Sequence, residues 1–149
     1  FLSCDTLFTK FDERKNITLV YEPLSKYSSN LVNNVSQLKK MLDNISSNHV
    51  KGMLDTGQMA LAEENVYDYP RLLGDNLVHV HLLDATPMGH LALGEGRLPL
   101  AEYIDALEDS GYKGYYTFEF TALQYRHAPE IADKKSLKWL LSNDKLIVK

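Results

Sequence analysis

Four short apolar runs, each carrying an acidic or histidine side chain at or near its end, most constrain how this chain can fold. They are ITLVYE at 17–22, VKGMLD at 50–55, LVHVHLL at 77–83 and YYTFEF at 115–120. Short runs rich in β-branched and aromatic residues are typical of strands that are buried on both faces. The sequence therefore predicts four strands of a parallel sheet.

Helical patterns alternate with these runs. Apolar residues spaced three and four apart predict helices at 35–45, 67–73, 100–107 and 131–141. Strands that alternate with helices, at roughly 25–40 residues per unit, are typical of a parallel sheet covered by helices. Four such βα units are half of a (β/α)8 barrel, and an open four-stranded sheet is the alternative. We predict one α/β domain that covers residues 1–149.

Local signals set the ends of two of these helices. Asn34 stands where an N-cap is expected before the first helix. Pro99 precedes the third helix, where proline is tolerated, and Gly111 follows it in the position of a C-terminal glycine.

The side chains at the strand ends predict a metal site. Because the C-terminal ends of parallel strands meet at one rim, these side chains should converge there. They are Glu22, Asp55, His81 and Glu119. Three carboxylates and one imidazole favour one divalent ion such as Mn²⁺, Co²⁺, Ni²⁺ or Mg²⁺, with Zn²⁺ less favoured.

Two of these residues also have a simpler interpretation. Glu22 precedes a proline and could merely end a strand, and Asp55 precedes Thr-Gly and could form an Asx turn. Glu119 lies between two phenylalanines. An unpaired carboxylate in such an apolar strand is costly, which makes Glu119 the strongest candidate of the set.

Three further polar residues lie close to the third strand. His79 points to the same face as His81 but one layer deeper, which predicts a hydrogen-bonded core histidine. Asp84 is expected to orient a neighbouring group. The glycine-flanked turn at 93–97 lacks the spacing of a phosphate loop, and His90 before it could reach a substrate hydroxyl.

Composition excludes several classes of protein. The net charge of −4 and the pI near 5.7 argue against a nucleic-acid partner. The single cysteine, Cys4, excludes an internal disulfide and fits a cytoplasmic location, and no apolar run is long enough to span a membrane. The chain begins at Phe1 with a segment that resembles a helix end, so we expect a portion of a longer protein.

Four segments together resemble the xylose-isomerase-like TIM barrel superfamily of sugar epimerases and isomerases, and within it the fructoselysine 3-epimerases. They are YEPLSKYSSNLV, MLDTGQM, LVHVHLLDATPMGHLALGEGRLPL and GYKGYYTFEF. The resemblance implies that the chain is the C-terminal half of an eight-stranded barrel whose last four strands carry the metal ligands. It also implies self-association and a small-molecule sugar substrate.

The resemblance further implies the chemistry. The metal would polarise the carbonyl of a ketose or ketosamine, while Glu22 and Glu119 transfer a proton through an enediolate. Gln58, His90 and Arg97 are the candidate substrate contacts. Many relatives carry a histidine where this chain has Gln58, so relatives that use that histidine match less well.

Three alternatives stay open at this point. A phosphosugar isomerase or epimerase would need a phosphate site, for which Arg97 and Arg126 are the local candidates. A non-catalytic half-barrel would keep the fold without the activity, and it predicts exposed apolar strand edges. A DNA-repair enzyme similar to endonuclease IV is disfavoured by Gln58 and by the acidic charge balance.

Overall fold

The strands form one parallel sheet and one small hairpin. The computed structural model describes residues 17–86 and 89–145, so the predicted helix end near Phe1 and the thiol of Cys4 lie outside the described residues. The strands are β1 (Leu19–Tyr21), β2 (Val50–Asp55), β3 (Leu77–His81), β4 (Asp84–Ala85), β5 (His90–Leu91) and β6 (Tyr115–Thr117). The parallel sheet has the order β1–β2–β3–β6, and β4 and β5 pair antiparallel. The predicted parallel sheet is confirmed.

The register of the sheet levels the C-terminal ends of its inner strands. Asp55 of β2 pairs with His81 of β3, and His81 pairs with Thr117 of β6. At the other side, Tyr21 at the end of β1 pairs with Gly52, three residues before Asp55. The residues that follow each strand therefore start from the same edge of the sheet.

Within residues 17–86 and 89–145, five helices accompany the sheet. They are α1 (Val35–Ile45), α2 (Thr56–Leu61), α3 (Asp68–Leu73), α4 (Leu100–Asp109) and α5 (Glu130–Ser142), with short 3-10 turns at Gly74–Asn76 and Leu123–Tyr125. The four predicted helices are confirmed to within two residues at each end. The pattern did not predict α2, which begins directly after the last residue of β2. It also did not predict the β4–β5 hairpin, because strands of two residues are too short to display a periodicity.

Three of the predicted strands are shorter than expected. The run at 17–22 keeps residues 19–21 in the sheet ladder. The runs at 77–83 and 115–120 keep only residues 77–81 and 115–117, which are their N-terminal parts. At the end of β3 the cause is a side chain: the Thr56 hydroxyl donates to the Leu83 carbonyl at 2.7 Å and accepts from the Leu83 N–H at 3.1 Å. The backbone of Leu83 is satisfied by Thr56, so it needs no neighbouring strand.

The predicted helix ends are also confirmed. The Asn34 side chain accepts a hydrogen bond from the Gln37 N–H at 2.8 Å, as an N-cap does. After α4, Gly111 has a φ of 78°, which a residue with a side chain rarely adopts.

The core lies between the sheet and the helices. Val35, Leu38 and Leu42 form the buried face of α1, and Leu54 and Val80 are fully buried in the sheet. Gly52 allows this close packing, because a Cβ there would lie 2.9 Å from Leu38 Cδ2. The helix α1 is thus fixed directly over β2, the strand that carries Asp55.

The two outer strands of the sheet each pair on one side only within the described residues. Val20 on β1 is 38% exposed and Tyr115 on β6 is 77% exposed. Apolar side chains on open strand edges are unusual in isolated domains. None of the described helices is long and apolar enough to cross a bilayer.

The contribution of the α1–sheet contact can be tested with two leucines. Leu38 is fully buried and Leu31 is 72% exposed. We expect Leu38→Ala to lower the free energy of unfolding by about 2–5 kcal/mol and Leu31→Ala to change it by less than about 0.5 kcal/mol. Urea denaturation measures both values. Equal losses would contradict the assignment of Leu38 to the core.

Candidate metal centre

The four predicted strand-end residues meet at one point. Glu22 follows β1, Asp55 ends β2, His81 ends β3 and Glu119 follows β6. Each offers one ligand atom, and these four atoms all lie within 4.8 Å of one another. Parallel strands in level register bring their ends to a common rim, so the convergence follows from the sheet itself.

His81 lies at the centre of this cluster. Its Nδ1 is 3.5 Å from Glu22 Oε1, 3.7 Å from Asp55 Oδ2 and 3.5 Å from Glu119 Oε2. These separations are too long for good hydrogen bonds, and His81 Nδ1 is buried without a hydrogen-bond partner among the described residues. The surrounding carboxylates, Glu22 foremost, raise the pKa of His81.

The two carboxylate oxygens of Asp55 have different environments. Oδ1 accepts a hydrogen bond from the Gln58 N–H at 2.6 Å and so caps α2, whereas Oδ2 is buried without a partner among the described residues. The side chain is 0% exposed, and this burial raises the pKa of Asp55 to about 6. The turn-forming interpretation and the ligand interpretation therefore concern different oxygens of one residue.

These features fit a divalent cation. Two buried atoms that could ligate a metal, Asp55 Oδ2 and His81 Nδ1, have no hydrogen-bond partner in the described structure. Buried polar atoms normally have one. Three carboxylates in such proximity repel one another when ionised. A cation between them would supply the missing partner and offset the repulsion, and the oxygen-rich donor set suits a hard ion.

His90 lies directly beside the cluster. Its Nδ1 is 2.9 Å from Glu119 Oε2, although the approach falls outside hydrogen-bond geometry, and its side chain is 17% exposed. The carbonyl oxygen of His90 accepts from the Ala122 N–H at 3.3 Å, which ties β5 to the segment after β6. The sequence predicted a substrate contact here, and the structure places His90 against one of the cluster carboxylates.

The other two predicted substrate contacts lie in different places. Gln58 is half-buried on α2 and lines a cavity of about 580 Å³ that His90 also lines. The side chain of Arg97 is exposed, and its backbone N–H donates to the Ala85 carbonyl at 3.0 Å. Arg97 belongs neither to the four-residue cluster nor to the lining of that cavity.

Asp84 fixes the glycine-flanked turn at 93–97. Its Oδ1 accepts from the N–H groups of Ala85 and Leu98 at 2.8 and 3.0 Å, and its Oδ2 accepts from the Gly94 N–H at 3.0 Å. Gly96 packs so closely on Asp84 that a Cβ there would overlap the carboxylate. The expected orienting role of Asp84 is thus directed at backbone groups of this turn.

His79 forms the predicted hydrogen bond on β3, but it is not the core residue that the sequence predicted. Its Nε2 is 2.9 Å from Thr117 Oγ1, and its ring meets the ring of His81 edge to face with centroids 5.3 Å apart. The side chain is only partly buried, and burial lowers the pKa of His79.

A second group of contacts around the same turn had no signal in the sequence. Glu95 accepts hydrogen bonds from Tyr125 and Lys135, and the Tyr125 hydroxyl accepts from the Ala92 N–H at 2.9 Å. Ser136 accepts from the Leu93 N–H at 3.0 Å. These partners are 30 to 43 residues apart in the chain, and only the folded structure brings them together.

Comparison with known proteins places this arrangement in a family. Residues 6–143 match the family described as xylose isomerase-like TIM barrel. The chain belongs to this family. The xylose isomerase-like resemblance seen in the sequence is therefore confirmed.

Several curated relatives of the chain are sugar epimerases. Fructoselysine 3-epimerase of Escherichia coli O157:H7 is 31% identical over 131 residues, which cover 87% of this chain and 47% of the relative. D-psicose 3-epimerase of Enterocloster bolteae is 36% identical over 116 residues, which cover 78% of this chain and 38% of the relative. The chain thus spans about half the length of these relatives, or less.

Solved structures have the same fold. D-allulose 3-epimerase from Methylomonas sp. in complex with D-allulose superposes with a TM-score of 0.80 at 21% identity, over 93% of this chain and 52% of that one. 3-Keto-D-glucoside 4-epimerase from E. coli superposes with a TM-score of 0.77 at 24% identity, over 91% and 50%. The expected half of a xylose isomerase-like barrel is confirmed.

The environment of Asp55 predicts a pH dependence of stability in metal-free protein. An acid whose pKa rises from 3.8 to about 6 on folding loses stabilisation as the pH increases through that interval. The raised pKa of His81 acts in the same direction, because its stabilisation is lost as the pH rises through the folded-state pKa. We therefore expect metal-free protein to become less stable from about pH 4 to about pH 7.

Asp55→Asn isolates the contribution of Asp55, since asparagine can still cap α2. We expect this variant to lose less stability over the same interval, by an amount on the order of 1–3 kcal/mol. Thermal unfolding of both proteins in a chelator at several pH values measures the difference. Parallel pH profiles would mean that Asp55 is not perturbed by burial.

Proposed function

We propose that this chain carries the metal-binding half of a divalent-metal-dependent sugar epimerase or isomerase that acts on a ketose or ketosamine. Glu22, Asp55, His81 and Glu119 would hold one divalent ion, and Glu22 and Glu119 would also transfer protons. The support is the four-residue cluster together with relatives that are 3-epimerases of fructoselysine and of D-psicose. Self-association and a cytoplasmic location stay predictions of the sequence.

The main support for this proposal is the difference in solvent exposure between the carboxylates on the outer strands and the carboxylate on the inner strand. Glu22 and Glu119 follow the two outer strands of the sheet and are 26% and 38% exposed. Asp55 is the last residue of an inner strand and is 0% exposed. Of the three carboxylates, only the outer two can therefore meet a substrate, and they would do so from opposite sides.

The divalent ion would act on the carbonyl group of the substrate. When bound, a divalent cation supplies a Lewis acid that polarises a carbonyl oxygen. Asp55 would anchor the site, because its remaining oxygen is fixed by the Gln58 N–H. The candidate ions are Mn²⁺, Co²⁺, Ni²⁺ and Mg²⁺, with Zn²⁺ less favoured, because oxygen-rich sites select hard ions without naming one.

The proton transfer would use the two outer glutamates. Epimerisation next to a carbonyl requires that a proton leave the carbon on one face and return on the other. One carboxylate on each side of the substrate can perform these two steps, with the enediolate between them. Which of Glu22 and Glu119 removes the proton would depend on the epimer supplied. His90, beside Glu119, would lie close to the substrate.

The phosphosugar alternative finds no support in the cavity. Its described lining contains no lysine or arginine, and the two candidate phosphate ligands, Arg97 and Arg126, are both exposed and lie outside it. The polar part of the lining consists of hydroxyl, amide and imidazole groups such as those of Ser25, Gln58 and His90. Such groups suit the hydroxyls of an uncharged sugar.

An exchange experiment in D2O tests the proton transfer. With Mn²⁺ and D-psicose or D-fructose, we expect the protein to interconvert the two epimers and to introduce deuterium at the carbon next to the carbonyl. Glu22→Gln and Glu119→Gln should each lower the interconversion by about 10²–10⁴-fold. Each variant should still exchange deuterium into one of the two epimers, the one whose proton faces the remaining glutamate. NMR measures both quantities.

Glu102→Gln is the matched control, because Glu102 is an exposed residue of α4 outside the cluster. It should leave interconversion and exchange unchanged. Bound Mn²⁺ without exchange in the wild type would favour the non-catalytic half-barrel. Loss of exchange equally from both epimers in both glutamate variants, with metal still bound, would contradict a two-carboxylate transfer.

A further inference from the structure

Gln58 connects two of the strand ends that carry the cluster. Its backbone N–H donates to Asp55 Oδ1 at 2.6 Å, and its side-chain Oε1 accepts from the Ser25 N–H at 2.8 Å. The first contact lies within the turn after β2 and the second reaches the loop after β1. In this way one residue contacts both the Asp55 carboxylate and the segment that follows Glu22.

The Ser25 end of this connection is well anchored. Ser25 is 2% exposed, and its carbonyl oxygen accepts from the N–H groups of Ser28 and Ser29 at 2.8 and 3.0 Å. Its own N–H has the Gln58 oxygen as partner. Because Ser25 is three residues after Glu22, a displacement of Ser25 would move the backbone that presents the Glu22 carboxylate.

We propose that Gln58 is a positioning residue that holds Glu22 and Asp55 at the separation required by a divalent ion. This inference rests on the function proposed for the four-residue cluster. The resemblance predicted a substrate contact for Gln58, but the oxygen of its side chain is engaged by Ser25. A positioning role predicts that a change at Gln58 alters metal affinity, which a residue that only contacts substrate would leave unchanged.

The chain contains a chemically matched control. Gln37 Oε1 accepts from the Asn33 N–H at 2.7 Å, at the other end of the loop between β1 and α1. This bond is of the same type as the bond between Gln58 and Ser25, but Gln37 is exposed and lies outside the cluster. Loss of either bond should destabilise the loop, whereas only loss of the Gln58 bond should disturb the metal ligands.

Titration calorimetry with Mn²⁺ alone tests the inference on the full chain. Gln58→Met keeps the length of the side chain and removes the strong acceptor. We expect it to weaken Mn²⁺ binding by about fivefold or more, the factor that corresponds to one lost hydrogen bond. Gln37→Met should stay within about twofold of the wild type. Gln58→Glu restores an acceptor oxygen and should bind Mn²⁺ at least as tightly as the wild type.

The results of the Mn²⁺ titration distinguish a failure of the positioning role of Gln58 from a failure of the metal site itself. If the wild type binds no Mn²⁺, the metal site itself is wrong and the positioning role falls with it. If the wild type binds Mn²⁺ and Gln58→Met binds equally well, only the positioning role is wrong. Equal weakening in the Gln58 and Gln37 variants would also overturn it, because the effect would then come from loop stability alone.

A measurement on the wild type covers the case in which Gln58→Met does not fold. Coupling between two sites is reciprocal, so Mn²⁺ should strengthen the Ser25–Gln58 bond if that bond favours Mn²⁺ binding. We expect the Ser25 amide to exchange with solvent at least about fivefold more slowly when Mn²⁺ is bound, while the Asn33 amide changes little. An unchanged Ser25 exchange rate would contradict the coupling.

Discussion

The main constraint on this structure is the electrostatic repulsion among three carboxylates that lie with an imidazole at one rim of the sheet. Parallel strands in level register force this proximity, because Asp55, His81 and Thr117 pair across three neighbouring strands. Burial makes the cost larger at Asp55, whose pKa it raises to about 6. Such an arrangement is unfavourable for a folded domain unless a cation or protons compensate it. A domain selected for stability alone would have little reason to keep it.

The surrounding contacts hold this unfavourable arrangement in place. Asp55 accepts a hydrogen bond from the Gln58 N–H. The helix α1 packs on β2 through the contact of Leu38 with Gly52. On the other side, Asp84 organises the turn that leads away from the β4–β5 hairpin, where His90 meets Glu119. The fold thus supplies rigid support to the cluster from both the inner strands and the loops. Preorganised ligands of this kind need little rearrangement when they bind an ion.

The sequence predicts elements with strong periodicity and misses those defined by distant contacts. The apolar spacing in α1 and the acid at the end of β2 are local signals, and they predicted the helix, the parallel sheet and the four converging side chains. The helix α2 follows β2 without an intervening loop, so its only local signal was Asp55, which caps it by accepting from the Gln58 N–H. The partners of Ser25 and Glu95 are about 30 to 40 residues away, and no spacing rule could identify them.

The central claim is that Glu22, Asp55, His81 and Glu119 together hold one divalent ion. Anomalous diffraction from crystals of this chain grown with Mn²⁺, collected at the manganese absorption edge, tests it most directly. The account predicts a single strong peak in direct contact with all four side chains. A peak bound by other residues, or none at the rim while the four side chains keep the present separations, would contradict it.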